Sequence, residues 1–143
     1  MKDKSIKVLL VEDNPGDARL VRETLAESTS PRFQLTHVEA LNEAKRRLEN
    51  EQFDAVLLDL MLEDSPRLGT LMEIHGQAGR VPVVVLTGLE DDVVGLWVLS
   101  EGAEDYLIKG RVDGGLLAST ICGAIERHRT APTQRLQAAS TSD

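Results

Sequence analysis

The most constraining feature of this sequence is a set of four short apolar runs that show little alternation with polar residues. The runs are rich in Val, Ile and Leu and occupy Ile6–Val11, Asp54–Leu60, Val81–Leu86 and Asp105–Ile108. Such runs are typical of strands that are buried on both faces, as in a parallel sheet. A fifth segment, Phe33–Val38, alternates apolar and polar residues, which predicts an edge strand with one wetter face.

Helical patterns fill the connections between these strands. Asn14-Pro15 predicts a helix start, with Asn14 as the N-cap and proline at the first helical position. Strand and helix alternate five times, which predicts a single doubly wound α/β domain with helices on both faces of a parallel sheet. The predicted helices lie around Ala18–Leu25, Leu41–Leu48, Leu68–Ile74, Val93–Leu99 and Leu117–Ile125.

The length and composition fit one such domain and exclude several other classes of protein. We predict a domain over residues 1–129 and a disordered tail over residues 130–143, which carry no periodic apolar face. The net charge of −8 argues against direct binding to nucleic acid or to an anionic membrane. A single cysteine, Cys122, excludes a disulfide scaffold, and no apolar run is long enough to span a membrane. We therefore expect a cytoplasmic location.

Acidic, hydroxyl and lysine side chains follow the carboxyl ends of four predicted strands, where ligand-binding and active sites form in open α/β sheets. Two carboxylates about 4 Å apart repel each other by about 4 kcal/mol at an effective dielectric constant of about 20. A cluster of carboxylates therefore needs positive charge, which a lysine and a hard cation such as Mg²⁺ would supply. The residues at these strand ends are Glu12 and Asp13, Asp59, Thr87, and Lys109.

The motifs at these strand ends resemble those of the receiver domain of bacterial two-component response regulators, which are CheY-like. The resemblance covers roughly residues 6–128, and it implies a flavodoxin-like sheet in the order 2-1-3-4-5. It also implies a phosphorylation-activated signalling switch, whose only chemistry is Mg²⁺-dependent self-phosphorylation and autodephosphorylation. The motifs are VLLVEDN at Val8–Asn14, LLDL at Leu57–Leu60, LTG at Leu86–Gly88 and GAEDYLIK at Gly102–Lys109.

The resemblance assigns a role to each residue of the cluster. Asp59 would accept a phosphoryl group from a sensor histidine kinase, from a phosphotransfer protein or from a small acyl phosphate. Thr87 and Lys109 would contact the phosphoryl oxygens. The ligands of Mg²⁺ or Mn²⁺ would be Asp13, Asp59, the backbone carbonyl of Met61, and Glu12 through a metal-bound water.

The resemblance further implies a surface that reads out the phosphorylated state. Tyr106 would act as a rotameric switch coupled to Thr87. A downstream protein or a second copy of the chain would bind the face made by the fourth helix, the fifth strand and the fifth helix. Exposed apolar residues on a helix often mark such a surface, and here they would be Leu89, Trp97 and Leu99.

Two stretches depart from the family pattern. The family usually has Pro-Asp and then glycine after the acceptor, whereas this chain reads EDSPRLG over Glu63–Gly69, with Arg67 within it. The family usually has proline after the lysine, whereas Gly110 follows Lys109. A cis bond before a residue other than proline costs about 2.5–4 kcal/mol, so we expect a trans and more flexible connection there.

Other functions remain open from the sequence. The closest alternative is a receiver-like interaction module that works without phosphorylation, although such modules usually lose an acid or the lysine. An aspartate-nucleophile phosphatase usually has a second Asp two residues after the nucleophile, where this chain has Met61. A flavin site would need a hydroxyl-rich loop at Glu12-Asp13.

Overall fold

The structure is a computed structural model that describes residues 5–29, 31–59, 74, 81–88, 98–100 and 102–141, with side chains up to residue 129. The described residues form five strands and three long helices, and residues 98–100 are helical as well. The predicted helices around Leu68–Ile74 and Val93–Leu99 lie mostly outside the described residues. The strands are β1 (Ile6–Val11), β2 (Phe33–Val38), β3 (Ala55–Asp59), β4 (Val83–Thr87) and β5 (Asp105–Ile108), and the helices are α1 (Pro15–Ala26), α2 (Leu41–Asn50) and α3 (Gly114–Thr141).

The strands form one parallel sheet in the order β2-β1-β3-β4-β5. This order confirms the flavodoxin-like topology that the resemblance implied. The register places Val11 opposite Leu58 and Thr87 opposite Ile108. The carboxyl ends of β1, β3, β4 and β5 therefore meet along one edge, as parallel strands require.

The core lies in two layers, one on each face of the sheet. One layer packs α2 against the sheet and the other packs α1 and α3 against the opposite face. Side chains of β1 alternate between the layers, because Val8 and Leu10 belong to the second and Leu9 and Val11 to the first. Every residue of β3 and β4 is buried, as their unalternating apolar runs predicted. The run in β5 was predicted in the same way, but that strand lies at an edge of the sheet and is only partly buried throughout.

Helix α1 begins where the sequence predicted. The side chain of Asn14 accepts a hydrogen bond from the backbone N–H of Asp17 at 2.9 Å, and Pro15 is the first helical residue. Asn14 satisfies one of the free N–H groups that every helix start presents. Because only three residues separate β1 from α1, the first turn of this helix lies at the carboxyl edge of the sheet.

Helix α3 is anchored to the start of β5 and runs further than predicted. His128 Nδ1 lies 3.1 Å from the largely buried carboxylate of Glu104, and Arg127 contacts Asp105 at 3.4 Å. The helix continues to Thr141, and the disordered tail over residues 130–143 stays a prediction. Residues of high helix propensity, such as those of QRLQAA at 134–139, favour a helical backbone there. The domain boundary at residue 129 stays a prediction.

Within the described ranges, none of the helices is both long and apolar enough to cross a lipid bilayer.

Candidate functional site

The three acidic residues predicted at the strand ends converge in the structure. Glu12 and Asp13 follow β1, and Asp59 ends the neighbouring strand β3. One oxygen from each of the three carboxylates lies within 4.8 Å of the others. Glu12 and Asp59 are 0% and 2% exposed, whereas Asp13 is half-buried. The fold therefore concentrates negative charge in a place where little solvent can screen it.

Lys109 brings the positive charge that this cluster needs. Its Nζ lies 2.7 Å from Oε1 of Glu12 and 3.3 Å from Oδ2 of Asp59. The lysine follows β5, and its backbone N–H donates to the carbonyl of Thr87 at 2.8 Å. This hydrogen bond fixes the start of the lysine side chain beside the end of β4, from which it reaches across β3 toward β1.

Burial and charge shift the protonation of two residues in the cluster. The pKa of Glu12 is raised to about 7, chiefly by burial and further by the hydrogen bond and negative charge of Asp59, which together outweigh the opposing effect of Lys109. Burial alone would lower the pKa of Lys109, but its contacts with Glu12 and Asp17 outweigh burial and hold that pKa above its ordinary value. The lysine is therefore a permanent cation, while Glu12 exchanges a proton near neutral pH.

The oxygen donors of this cluster fit a hard divalent cation. Oε1 of Glu12 is buried and has no hydrogen-bond donor in the described part of the chain. The ammonium of Lys109 lies 2.7 Å from this oxygen, and it is shared with Asp17 and Asp59. One ammonium shared among several carboxylates leaves the cluster short of positive charge, and a cation bound by neighbouring carboxylate oxygens would supply it. Asp13 and Asp59 complete an all-oxygen donor set.

Two side chains that the sequence analysis missed contact this cluster. Asp17 Oδ2 accepts a hydrogen bond from Lys109 Nζ at 2.9 Å. His37 Nε2 lies 2.7 Å from the backbone carbonyl of Glu12, so this nitrogen must carry the hydrogen. Asp17 could have been found from its place in the first turn after β1. His37 could not, because its contact depends on the direction of a ring on the edge strand.

The remaining predicted residues differ in how the structure places them. Thr87 is 1% exposed at the end of β4, and Tyr106 is half-buried and packs against the core layer that contains Val85. Leu99 is 40% exposed. The other predicted positions lie outside the described residues, and they are Met61, Glu63, Arg67, Leu89 and Trp97.

Gly110 explains one departure from the family pattern. Its φ is +87°, in the left-handed region that glycine enters without the steric penalty of a Cβ. Proline, whose φ is fixed near −65°, cannot adopt this conformation. The loop after Lys109 therefore has a backbone that the usual proline would not allow.

Comparison with known proteins identifies the family to which this site belongs. The sequence matches the response regulator receiver domain over residues 8–120. It is 33% identical over 107 residues to the transcriptional regulatory protein BasR of Escherichia coli (strain K12), a match that covers 73% of this chain and 46% of BasR. The chain spans less than half the length of the curated relatives it matches, from 23% to 48%.

Two solved structures extend the comparison. The first is the receiver domain of the sensor histidine kinase PA1611 from Pseudomonas aeruginosa PAO1, with a magnesium ion coordinated in the active site cleft. It matches with a TM-score of 0.71 and 28% identity, over 86% of this chain and 99% of that one. The phosphorylated cyanobacterial phytochrome response regulator RcpA matches with a TM-score of 0.67 and 28% identity, over 90% and 96% of the two chains. With its parallel five-stranded sheet and its acidic cluster at the strand ends, this chain belongs to the response regulator receiver domain family.

Proposed function

We propose that this chain is a signalling switch in which Asp59 accepts a phosphoryl group and the rest of the cluster stabilises it. The observation that carries the proposal is the meeting of Glu12, Asp13 and Asp59 with the ammonium of Lys109. Each of these groups has a use in phosphoryl transfer, which depends on positioning and on neutralising charge on the phosphoryl oxygens. A cluster with a merely structural role would gain nothing from concentrating three acids around one lysine.

The reaction follows from these positions. A carboxylate oxygen of Asp59 attacks phosphorus, and the bond from phosphorus to the donor breaks, which releases acetate or the histidine of the donor protein. The ammonium of Lys109 and the hydroxyl of Thr87 then face the phosphoryl oxygens. Asp13 and Asp59 would hold Mg²⁺ or Mn²⁺, which supplies positive charge to the same oxygens when bound. By the family resemblance, the carbonyl of Met61 and a water on Glu12 complete the metal ligands.

The proposed donor is a sensor histidine kinase or a phosphotransfer protein. PA1611, to whose receiver domain this chain is similar, is itself a sensor histidine kinase. BasR is a transcriptional regulatory protein, and we propose that this chain likewise acts on a downstream protein or pairs with a second copy of itself. Nothing in this role requires the chain to contact nucleic acid or a membrane.

We further propose that the signal leaves through the helix around Leu99, β5 and α3. The hydroxyl of Thr87 would be drawn toward the phosphoryl group, and Tyr106 would turn into the space behind it. The register supports this coupling, because Tyr106 is paired with Val85, two residues before Thr87. Leu99 is 40% exposed. Leu89 and Trp97 come before it in the sequence and lie outside the described residues.

Beryllofluoride, which mimics a phosphoryl group on a carboxylate, tests this proposal. With saturating Mg²⁺ it should change the fluorescence of Trp97, the single tryptophan, and it should shift the backbone amide signals of Tyr106 and Leu99. Thr87→Ala should blunt both changes while leaving Mg²⁺ binding intact. Amide shifts confined to the loops at Asp13, Asp59 and Lys109 would refute the output face. A wild type that does not bind beryllofluoride would instead favour a module that works without phosphorylation.

A further inference from the structure

Asp17 is a fourth carboxylate at this site, and none of the roles described above includes it. Its Oδ2 lies 2.9 Å from Nζ of Lys109, closer than the 3.3 Å that separates the same nitrogen from the acceptor Asp59. Asp17 lies in the first turn of α1, where a negative charge is also favoured by the helix dipole. Lys109 is thus held from two sides, by the strand ends and by a helix.

Asp17 differs from the other acids in its surroundings. Its side chain is 44% exposed, whereas those of Glu12 and Asp59 are 0% and 2% exposed. It lies at the edge of a cavity of about 470 Å³ between α1 and α3, whose wall also includes Lys109, Leu86 and Leu117. Lys109 can therefore move away from Asp17 without leaving a buried charge behind, because solvent can hydrate the carboxylate that it leaves.

We propose that Asp17 is a positioning residue that restrains Lys109 while Asp59 is unphosphorylated and loses it when Asp59 carries a phosphoryl group. This inference rests on the proposed function. An aspartyl phosphate adds negative charge and strong acceptor oxygens beside Lys109. The ammonium then interacts more favourably with the phosphoryl oxygens than with a half-exposed carboxylate, and its contact with Asp17 breaks.

The proposal predicts opposite effects on two ligands when the charge of Asp17 is removed. A phosphoryl mimic binds more tightly, because its competitor for Lys109 and a nearby like charge are both gone. Mg²⁺ alone binds more weakly, because an attractive charge is lost and Lys109 is drawn further onto Glu12 and Asp59. If Asp17 only stabilised the fold, its replacement would weaken the binding of both ligands.

The experiment measures Mg²⁺ affinity alone and beryllofluoride affinity at saturating Mg²⁺ for the wild type and three variants. Asp17→Asn should bind beryllofluoride about two- to fivefold more tightly and Mg²⁺ about two- to fivefold more weakly, the range expected for a half-exposed ion pair. Asp17→Glu, which keeps the charge, should restore both affinities toward the wild type. Glu23→Gln removes the same charge from an exposed position of α1 and should leave both affinities unchanged.

Each outcome decides the matter. The proposal is supported if Asp17→Asn binds beryllofluoride more tightly and Mg²⁺ more weakly than the wild type, and the other two variants do not. Unchanged or weaker beryllofluoride binding by Asp17→Asn, with normal binding by the wild type, overturns it and leaves the proposed function standing. A wild type that fails to bind beryllofluoride overturns the proposed function, and this inference with it. An equal gain in Glu23→Gln would show that net charge, not the contact with Lys109, is responsible.

Discussion

The ammonium nitrogen of Lys109 lies 2.7 Å from Oε1 of Glu12, a carboxylate oxygen that is buried from solvent. The contact joins the end of β5 to the end of β1 across two intervening strands. Through this contact a side chain of the protein, rather than a bound ion, supplies positive charge to the acidic cluster. A divalent cation bound by the same acids must therefore compete with this ammonium, and the competition sets the direction of two of the effects predicted below.

Replacing Lys109 should strengthen metal binding and slow phosphoryl transfer. Lys109→Ala should bind Mg²⁺ about fivefold more tightly, since one opposing charge about 4 Å away is worth on the order of 1 kcal/mol even in water-like surroundings. The same variant should be phosphorylated by acetyl phosphate roughly tenfold to a hundredfold more slowly, as expected for the loss of a charged hydrogen bond. Metal titration and labelling kinetics measure the two effects.

The control for both measurements is Arg19→Ala, which removes the positive charge of a side chain that is 80% exposed on α1. It should change neither the metal affinity nor the labelling rate. Weaker Mg²⁺ binding by Lys109→Ala would contradict the competition between lysine and metal.

Protonation of Glu12 should make both metal affinity and stability depend on pH. Its pKa is raised from 4.5 to about 7, so between these values the folded chain holds a proton that the unfolded chain has released. The metal-free protein should therefore lose stability as pH rises through this window. Affinity for Mg²⁺, which favours the ionised carboxylate, should rise with pH by up to about tenfold per unit and level off above about pH 7.

Denaturant unfolding and metal titration at several pH values, for the wild type and Glu12→Gln, measure these effects. Glu12→Gln cannot ionise at this position and should lack the corresponding part of both pH dependences. Identical pH profiles of the two proteins would show that Glu12 does not titrate in this window.

His37 should support the site through the backbone of Glu12. His37→Phe removes the donor to the carbonyl of Glu12, which frees the segment that carries Glu12 and Asp13. A lost hydrogen bond of about 1 kcal/mol should weaken Mg²⁺ binding roughly two- to tenfold. His37→Gln, which can still donate from its amide, should recover much of the affinity. If His37→Phe and His37→Gln bind Mg²⁺ equally well, the hydrogen bond has no part in positioning the acids.

Gly110 should be needed for the conformation of its backbone alone. A Cβ at this position would meet no atom within 4 Å, but φ is +87°, so Gly110→Ala should cost roughly 1–2 kcal/mol of unfolding free energy through backbone strain. Gly88 also has open space around it but lacks a positive φ. Gly88→Ala should therefore be neutral or stabilising. Equal stabilities in chemical denaturation would argue that the loop relaxes to another conformation.

The sequence predicted the strands and the acidic residues at their ends because both depend on short-range patterns. The run Ala55–Asp59 is apolar up to its last residue, and that residue had to lie at the carboxyl edge whichever strand was its neighbour. Likewise, Asn14-Pro15 specifies a helix start through the local chemistry of capping and needs no tertiary contact. The strand order itself came from the family resemblance and not from the pattern of residues.

Contacts between side chains far apart in sequence were beyond such patterns. Lys109 and Asp17 are 92 residues apart, and His37 and Glu12 are 25 apart. Whether these pairs meet depends on rotamers and on the packing of α1 and β2. The predicted helix around Leu117–Ile125 was shorter than α3, because an apolar stripe indicates which residues of a helix are packed and not where the helix ends.

The most direct test of the central claim is intact mass measurement after incubation with acetyl phosphate and Mg²⁺. The wild type should gain the mass of one phosphoryl group, and a chelator should prevent the gain, because the cation neutralises the phosphoryl oxygens. Glu23→Gln should be labelled like the wild type, whereas Asp59→Asn, which keeps the shape of the side chain but not the nucleophile, should gain nothing. Equal labelling of the wild type and Asp59→Asn would contradict the assignment of Asp59 as the phosphoryl acceptor.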